Sequence, residues 1–190
     1  LYAEDNISFK SSSLKLSSRL TLHSNTVADD FGLNSLKIFY PEMERTNTRF
    51  LKSFSAQYHK MMNDFHLNDG LSYGERAPSV SEGYGFYLFN SFDNYDYIGD
   101  PNLKTESSAE ANLSITYEKP IFEITAMANY FRVFNQIIGT VDPSLSPMAI
   151  GADGVKIYGS LDYAQLFNTP LSGKYSISNA VRFFGRISYH

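Results

Sequence analysis

The chain has no cysteine and no tryptophan among its 190 residues. Without cysteine there is no disulfide framework, no thiolate metal site and no thiol nucleophile. Basic runs are absent too, and the net charge of −4 argues against nucleic acid as a partner. No apolar stretch approaches the ~20 residues that a spanning helix requires. That absence leaves membrane barrels open, because their strands cross in only ~10 residues and alternate in polarity. A mean hydropathy of −0.27 fits a soluble protein or a barrel equally well. No Ser/His/Asp set or carboxylate pair stands at catalytic spacing, so an enzyme has no motif behind it and no cofactor is expected.

What the chain does have is Tyr and Phe, which supply all of its 15% aromatic content. It also has period two. Leu14, Leu16, Leu20 and Leu22 alternate with Lys15, Ser17, Arg19 and Thr21. Ala109, Ala111, Leu113, Ile115 and Tyr117 alternate with Glu110, Asn112, Ser114, Thr116 and Glu118. A helix would scatter these residues around its axis, so both segments read as strands. The same rhythm gives roughly eight strands over the whole chain. The connections sort by length. Residues 10–13, 61–65, 119–120 and 170–173 read as short turns, and residues 24–48, 77–106 and 140–154 as long loops. In the first long loop, Leu36, Ile38 and Tyr40 read as a strand extended beyond the membrane. Short turns at one rim and long loops at the other are expected of an outer-membrane barrel.

An alternating sequence also suits a soluble sandwich, whose apolar face would be covered by a second sheet. Side-chain size favours the barrel. The apolar face carries Ala109, Ala111, Ala126, Ala128 and Gly159, with Tyr117, Tyr130, Tyr163 and Tyr175 towards the strand ends. Lipid fills the space beside alanine, where a packed core would leave cavities.

The stretch from Gly70 to Glu106 organises the rest. It carries Tyr73-Gly74, then Arg76-Ala77-Pro78-Ser79 with Glu82, an aromatic loop, and Gly99-Asp100-Pro101-Asn102-Leu103-Lys104-Thr105-Glu106. Pro78 and Pro101 cannot donate to a ladder and so bracket a loop. Two motifs in this order and at this spacing resemble the C-terminal part of the barrel of TonB-dependent receptors. Asp100 and Thr105 stand where the family commonly has Asn and Pro, and the turn chemistry is kept. The resemblance implies an antiparallel transmembrane β-barrel of about 22 strands, of which residues 1–190 would supply a part. The plug domain is absent from this sequence, and both chain ends, at Leu1 and at Tyr189-His190, read as cut within strands. The implied function is binding of a scarce solute (siderophore, haem, vitamin, metal, or glycan or peptide) and its import into the periplasm. The implied place is the outer membrane of a Gram-negative bacterium. Implied partners are outer-membrane lipid, the TonB complex through the plug region, the solute and, as an option, a surface lipoprotein.

Candidate site residues follow. Tyr84, Phe86, Tyr87, Phe89, Phe92, Tyr95 and Tyr97 offer aromatic faces and hydroxyls to a ligand arriving from outside, or pack on one another. Arg76, Pro78, Ser79, Glu82, Pro101, Leu103 and Glu106 are the motif residues and read as structural, with Arg76 and Glu82 as a pair. Asp93, Asp96 and Asp100 lack the spacing of a calcium loop. His59, Met61, Met62 and His66 include soft-metal donors. They fall on the short-turn side and read as an incidental pair of histidines flanking a turn, so no metal site is expected.

Overall fold

Alternation becomes a wall. The computed structural model describes residues 1–178 and 180–189; the terminal His190, expected to end a strand, lies outside them. In chain order the elements are β1 (Tyr2–Ser8), β2 (Ser12–Thr26), α1 (Asp30–Lys37), β3 (Thr46–Met62), β4 (Phe65–Arg76), α2 (Val80–Tyr84), β5 (Leu88–Asn90), β6 (Tyr95–Ile98), β7 (Glu106–Glu118), β8 (Phe122–Val141), β9 (Gly154–Ser176) and β10 (Arg182–Tyr189). Eight of them, β1 to β4 and β7 to β10, lie side by side in that order, each antiparallel to the next. This matches the expected wall of a barrel fragment. The two short strands are additional. β5 pairs with β6, and β6 runs parallel to the start of β9.

Register sorts the side chains into rows, because directly paired residues point to one face. One row runs Glu4, Ser17, Ser55, Ser72, Glu110. The hydroxyls of Ser17 and Ser55 lie 2.8 Å apart, and Ser72 donates to Glu110 at 3.4 Å. Nearer the short turns, Thr116 and Thr125 lie 2.9 Å apart on the same face. The neighbouring row points the other way and runs Asp5, Leu16, Ala56, Leu71, Ala111, Tyr130. Among the described residues nothing covers it: Leu71 is 64% exposed and Leu16 40%. A sandwich would bury these positions under a second sheet, and the described strands form one sheet only. The polar rows are therefore the lumen side, and the apolar rows face lipid.

Aromatic residues mark both limits of the lipid-facing band. At the short-turn end the Phe65 and Tyr117 rings sit 4.7 Å apart, and Tyr117 and Phe122 5.5 Å. At the other end the Arg132 guanidinium lies between the rings of Phe134 (5.0 Å) and Tyr163 (4.8 Å). Between Tyr117 and Ala109, the partner of Arg132, a tilted strand climbs roughly 20 Å, close to the apolar height of an outer membrane. Asp69 breaks the pattern. Its register places it on the lipid-facing side between Tyr58 and Leu113.

Four local expectations change. The β3–β4 turn is tighter than residues 61–65. Met62 pairs with Phe65, leaving Asn63 and Asp64 as a two-residue hairpin with Asn63 at φ 54°, a conformation asparagine tolerates. Residues 170–173 are no turn. Strand β9 continues through Pro170 to Ser176, and the chain reverses only beyond Ser176, which pairs with Arg182 of β10. Proline is accepted because the β8–β9 ladder skips Met127 and Ala128, so no strand partner lacks a donor there. In the first long loop, Leu36 lies in a helix rather than a strand. The Asp29 carboxylate caps it by accepting from Gly32 N–H at 2.7 Å, and Leu33 and Leu36 share its buried face. Finally, the aromatic loop is itself built, with α2, β5 and β6 inside it.

Substitutions on the two faces separate the readings. Leu113→Lys should cost about 2–4 kcal/mol near the middle of the band, and Asn112→Lys on the lumen face should cost little. Asp69→Leu should stabilise. Unfolding from detergent or vesicles checks all three, and equal effects at positions 112 and 113 would overturn the face assignment.

Candidate functional site

The long-loop end holds most of the buried apolar side chains among the described residues. Leu33, Leu36 and Met43 from residues 27–45 form a small core, with Val27, Tyr40, Tyr84 and Phe86 packed against it. Burial and the nearby Asp100 charge push the Tyr40 hydroxyl up to about 12. The first and second long loops thus meet through apolar contact, and this fixes the mouth of the wall.

A charged clamp fixes its base. Arg76, the last residue of β4, donates to Glu82 at 2.8 and 3.2 Å and to Glu106 at 2.7 and 3.1 Å. Both carboxylates are largely buried. Glu82 also accepts from the Ser79 backbone N–H at 2.7 Å, and Ser79 Oγ accepts from Glu82 N–H at 3.3 Å. This reciprocal capping box starts α2 directly after Pro78. Glu106 accepts a further bond from Ile137 N–H at 2.9 Å. One guanidinium therefore ties the ends of β4 and β7 to α2, and Glu106 carries the tie to β8. Burial pushes the Glu82 carboxyl up, but the Arg76 guanidinium and Ser79 outweigh it and hold its pKa below the ordinary carboxylate value.

The second motif seals onto the first. Asp100 N–H donates to Glu82 O and Gly99 N–H to Gly85 O, each at 2.8 Å. A Cβ at Gly99 would stand 2.6 Å from the backbone nitrogens of Tyr84 and Gly85, so only glycine permits this approach. The segment after it lies against the lumen face of β3: Arg49 donates to Leu103 O at 2.7 Å and Asn47 to Pro101 O at 3.3 Å. Pro101 and Leu103 are buried there.

The seven aromatic residues divide. Tyr84 and Phe86 support the loop core. Phe86 and Tyr87 meet edge to face at 5.2 Å, and Phe39 lies 6.2 Å from Phe86. The Tyr97 ring stacks 5.0 Å from Tyr158 and lies over Gly139, where a Cβ would come within 2.4 Å of it. Tyr95 lies under the Lys156 ammonium at 4.3 Å. Phe89 and Phe92 stay open, Phe92 at 99% exposure.

Three interactions here have no visible signal in sequence. Asp93 accepts from Lys156 and from Tyr97 Oη at 2.6 Å each, which hold its carboxyl below the usual range. Asp96, fully buried, accepts from the backbone N–H groups of Met148 and Ala149 at 2.7 and 2.9 Å. Asp100 accepts from Asn102 N–H at 2.8 Å, and burial pushes its carboxyl up. The three aspartates thus serve separate turns and loops. Asp96 fastens the third long loop, residues 142–153, to the second. Only its position among aromatic residues could have hinted at this, since its partners are backbone groups 52 and 53 residues away.

A family profile described as "TonB dependent receptor-like, beta-barrel" matches residues 1–182. Solved structures agree in fold. The "Copper transporter OprC" superimposes with a TM-score of 0.73 at 16% identity, over 99% of this chain and 27% of that one. The siderophore receptor PirA from Pseudomonas aeruginosa gives 0.66 at 15% identity, over 99% and 33%. The ferric enterobactin receptor PfeA of the same organism, in complex with enterobactin, gives 0.52 at 13% identity, over 99% and 34%. The chain thus spans 27–34% of the length of these structures. Among curated proteins, no sequence matches.

Arg76→Ala should destabilise the mouth by about 2 kcal/mol, since it strips the cation from two buried carboxylates. Glu82 has a lowered pKa, so its contribution is present above the ordinary carboxylate value and fades as pH falls through the folded one. The gap between wild type and Arg76→Ala should therefore narrow below about pH 4, as read by thermal unfolding in detergent. A gap independent of pH would show that the clamp contributes nothing through Glu82.

Proposed function

The chain belongs to the TonB-dependent receptor β-barrel family, and from that premise we propose that it forms about a third of an outer-membrane receptor wall whose long-loop mouth captures a scarce solute. Family membership supports the outer membrane of a Gram-negative bacterium as the place, and solute import driven through TonB as the task. The plug and the remaining strands belong to parts of the receptor outside these residues. The wall binds and guides and carries out no reaction of its own.

The observation that carries the reading is the state of the mouth. Its loops are braced by the Arg76 clamp and the Asp96 fastener, yet they leave apolar side chains uncovered. Leu88, Phe89 and Phe92 are exposed on the second loop, and Met148 and Ile150 on the third. Braced loops with open apolar side chains limit the ordering cost of capture. Tyr84, Phe86 and Tyr87 are engaged in the loop core, and Tyr95 and Tyr97 with Lys156 and Tyr158. Open aromatic faces suit a small solute with apolar or planar surfaces, and metal chelates are the class we favour. Two of the similar structures are named as a copper transporter and a siderophore receptor, which agrees with that class.

The test is binding and uptake by cells that depend on this receptor under metal limitation, with a panel of chelates. Phe92→Ala with Phe89→Ala should weaken binding of the accepted chelate about tenfold, at unchanged surface abundance, and uptake should stop when TonB is removed. Unchanged affinity in the double variant would remove the aromatic mouth from the mechanism. Uptake independent of TonB would remove the import reading.

A further inference from the structure

Far from the mouth, at the short-turn end of the lumen face, two histidines and a methionine come together. In the β3–β4 register His59 pairs with Asn68 and Met61 with His66. All four residues therefore share the lumen face, while Lys60 between them points to the lipid side. The His59 and His66 rings lie with centroids 6.3 Å apart and planes inclined by 32°. Two imidazoles that share one ion through nitrogen–metal bonds of about 2.0 Å bring their centroids to roughly 6 Å. The pair already stands at that distance.

The neighbouring groups fit the same use. Asn68 Oδ1, which can only accept, lies 2.6 Å from His59 Nδ1. It fixes the tautomer with the proton on Nδ1 and leaves the Nε2 lone pair free, as the outer partner of a metal-bound histidine does. Glu118 Oε2 stands 3.6 Å from Nε2 of His66, too far for a hydrogen bond, so that ring is held by no strong partner on this side. Met61, the direct cross-strand partner of His66, adds a thioether with an exposed side chain.

We propose that His59, His66 and Met61 form a binding site for a soft monovalent metal ion of the cuprous class on the lumen wall. Thioether and imidazole together select a soft ion. A cuprous ion is satisfied by a near-linear pair or a trigonal set of such donors. Among the described residues no three His, Asp or Glu side chains converge as a harder cation would require. The site lies at the opposite end of the lumen from the solute mouth, so it rests on the assignment of the lumen face and not on the identity of the solute captured there.

The test uses the full-length receptor in detergent, with Cu(I) held reduced by ascorbate and buffered by a competing chromophoric chelator. Wild type should bind one Cu(I) that the His59→Asn/His66→Gln double variant does not. Met61→Leu, which keeps the volume, should weaken binding about tenfold, and Asn68→Ala about tenfold through loss of the tautomer lock. Heat-modifiable migration on gels confirms that each variant is folded. Equal Cu(I) stoichiometry and affinity in wild type and double variant would overturn the site. Tight Zn²⁺ binding at these residues without a preference for Cu(I) would overturn the soft-ion assignment. Either result is read on purified protein and is independent of whether uptake through the mouth needs TonB.

Discussion

A backbone amide in lipid has no water to bond, and this constraint governs the architecture. It demands that each strand be paired along its membrane length, and the wall meets it with consecutive antiparallel neighbours in unbroken chain order. Once the ladder is obligatory, side chains are left to choose between two faces. The serine, threonine and asparagine rows take the lumen, and the Leu, Ala and Tyr rows take the lipid. The stability of such a wall comes less from a packed interior than from ladders and from lipid on one side. Among the described residues, the buried apolar side chains accordingly lie at the long-loop end, where water returns and loops must hold themselves together.

There the organising charge is Arg76. It sits where the ladder stops, at the point where the chain leaves β4, and meets the carboxylate that opens β7. The capping box at Ser79 and Glu82 then makes one carboxylate serve both a helix start and an ion pair. Asp96 does comparable work higher up with backbone partners only. Two short-range devices and one apolar cluster thus hold three loops in a fixed relation while leaving Phe89 and Phe92 uncovered.

Much of the wall was legible because its signal is local. Alternation in residues 14–22 and 109–118 shows strand and face together, and the motif pair around Arg76 and Pro101 locates the loop between β4 and β7. What was misread lay where local signals compete. Leu36, Ile38 and Tyr40 resemble a strand at spacing two, but Asp29 as a cap and Leu33 with Leu36 at spacing three form a helix. Pro170 reads as a turn unless one knows that the facing strand has a gap in its ladder. The division of the aromatic residues into supporting and open members was not legible at all. It depends on partners such as Gly139 and Lys156, which lie far off in sequence and are placed only by the register of β8 and β9. The histidine pair was visible in the sequence and read as incidental because it falls on the short-turn side; only the register of β3 and β4 shows that both rings share one face.

The parallel pairing of β6 with β9 has a consequence for the order of assembly. Each wall hairpin joins neighbours across a turn or one loop, so it can form as soon as its two strands meet. The β6–β9 contact brings Tyr95 to Gly154 and must wait until β7, β8 and the start of β9 are in place. Closing so long a segment is entropically slow relative to a hairpin. The first loop and the Arg76 clamp can form with the strands beside them, whereas the seam that joins the second loop to the start of β9 closes last.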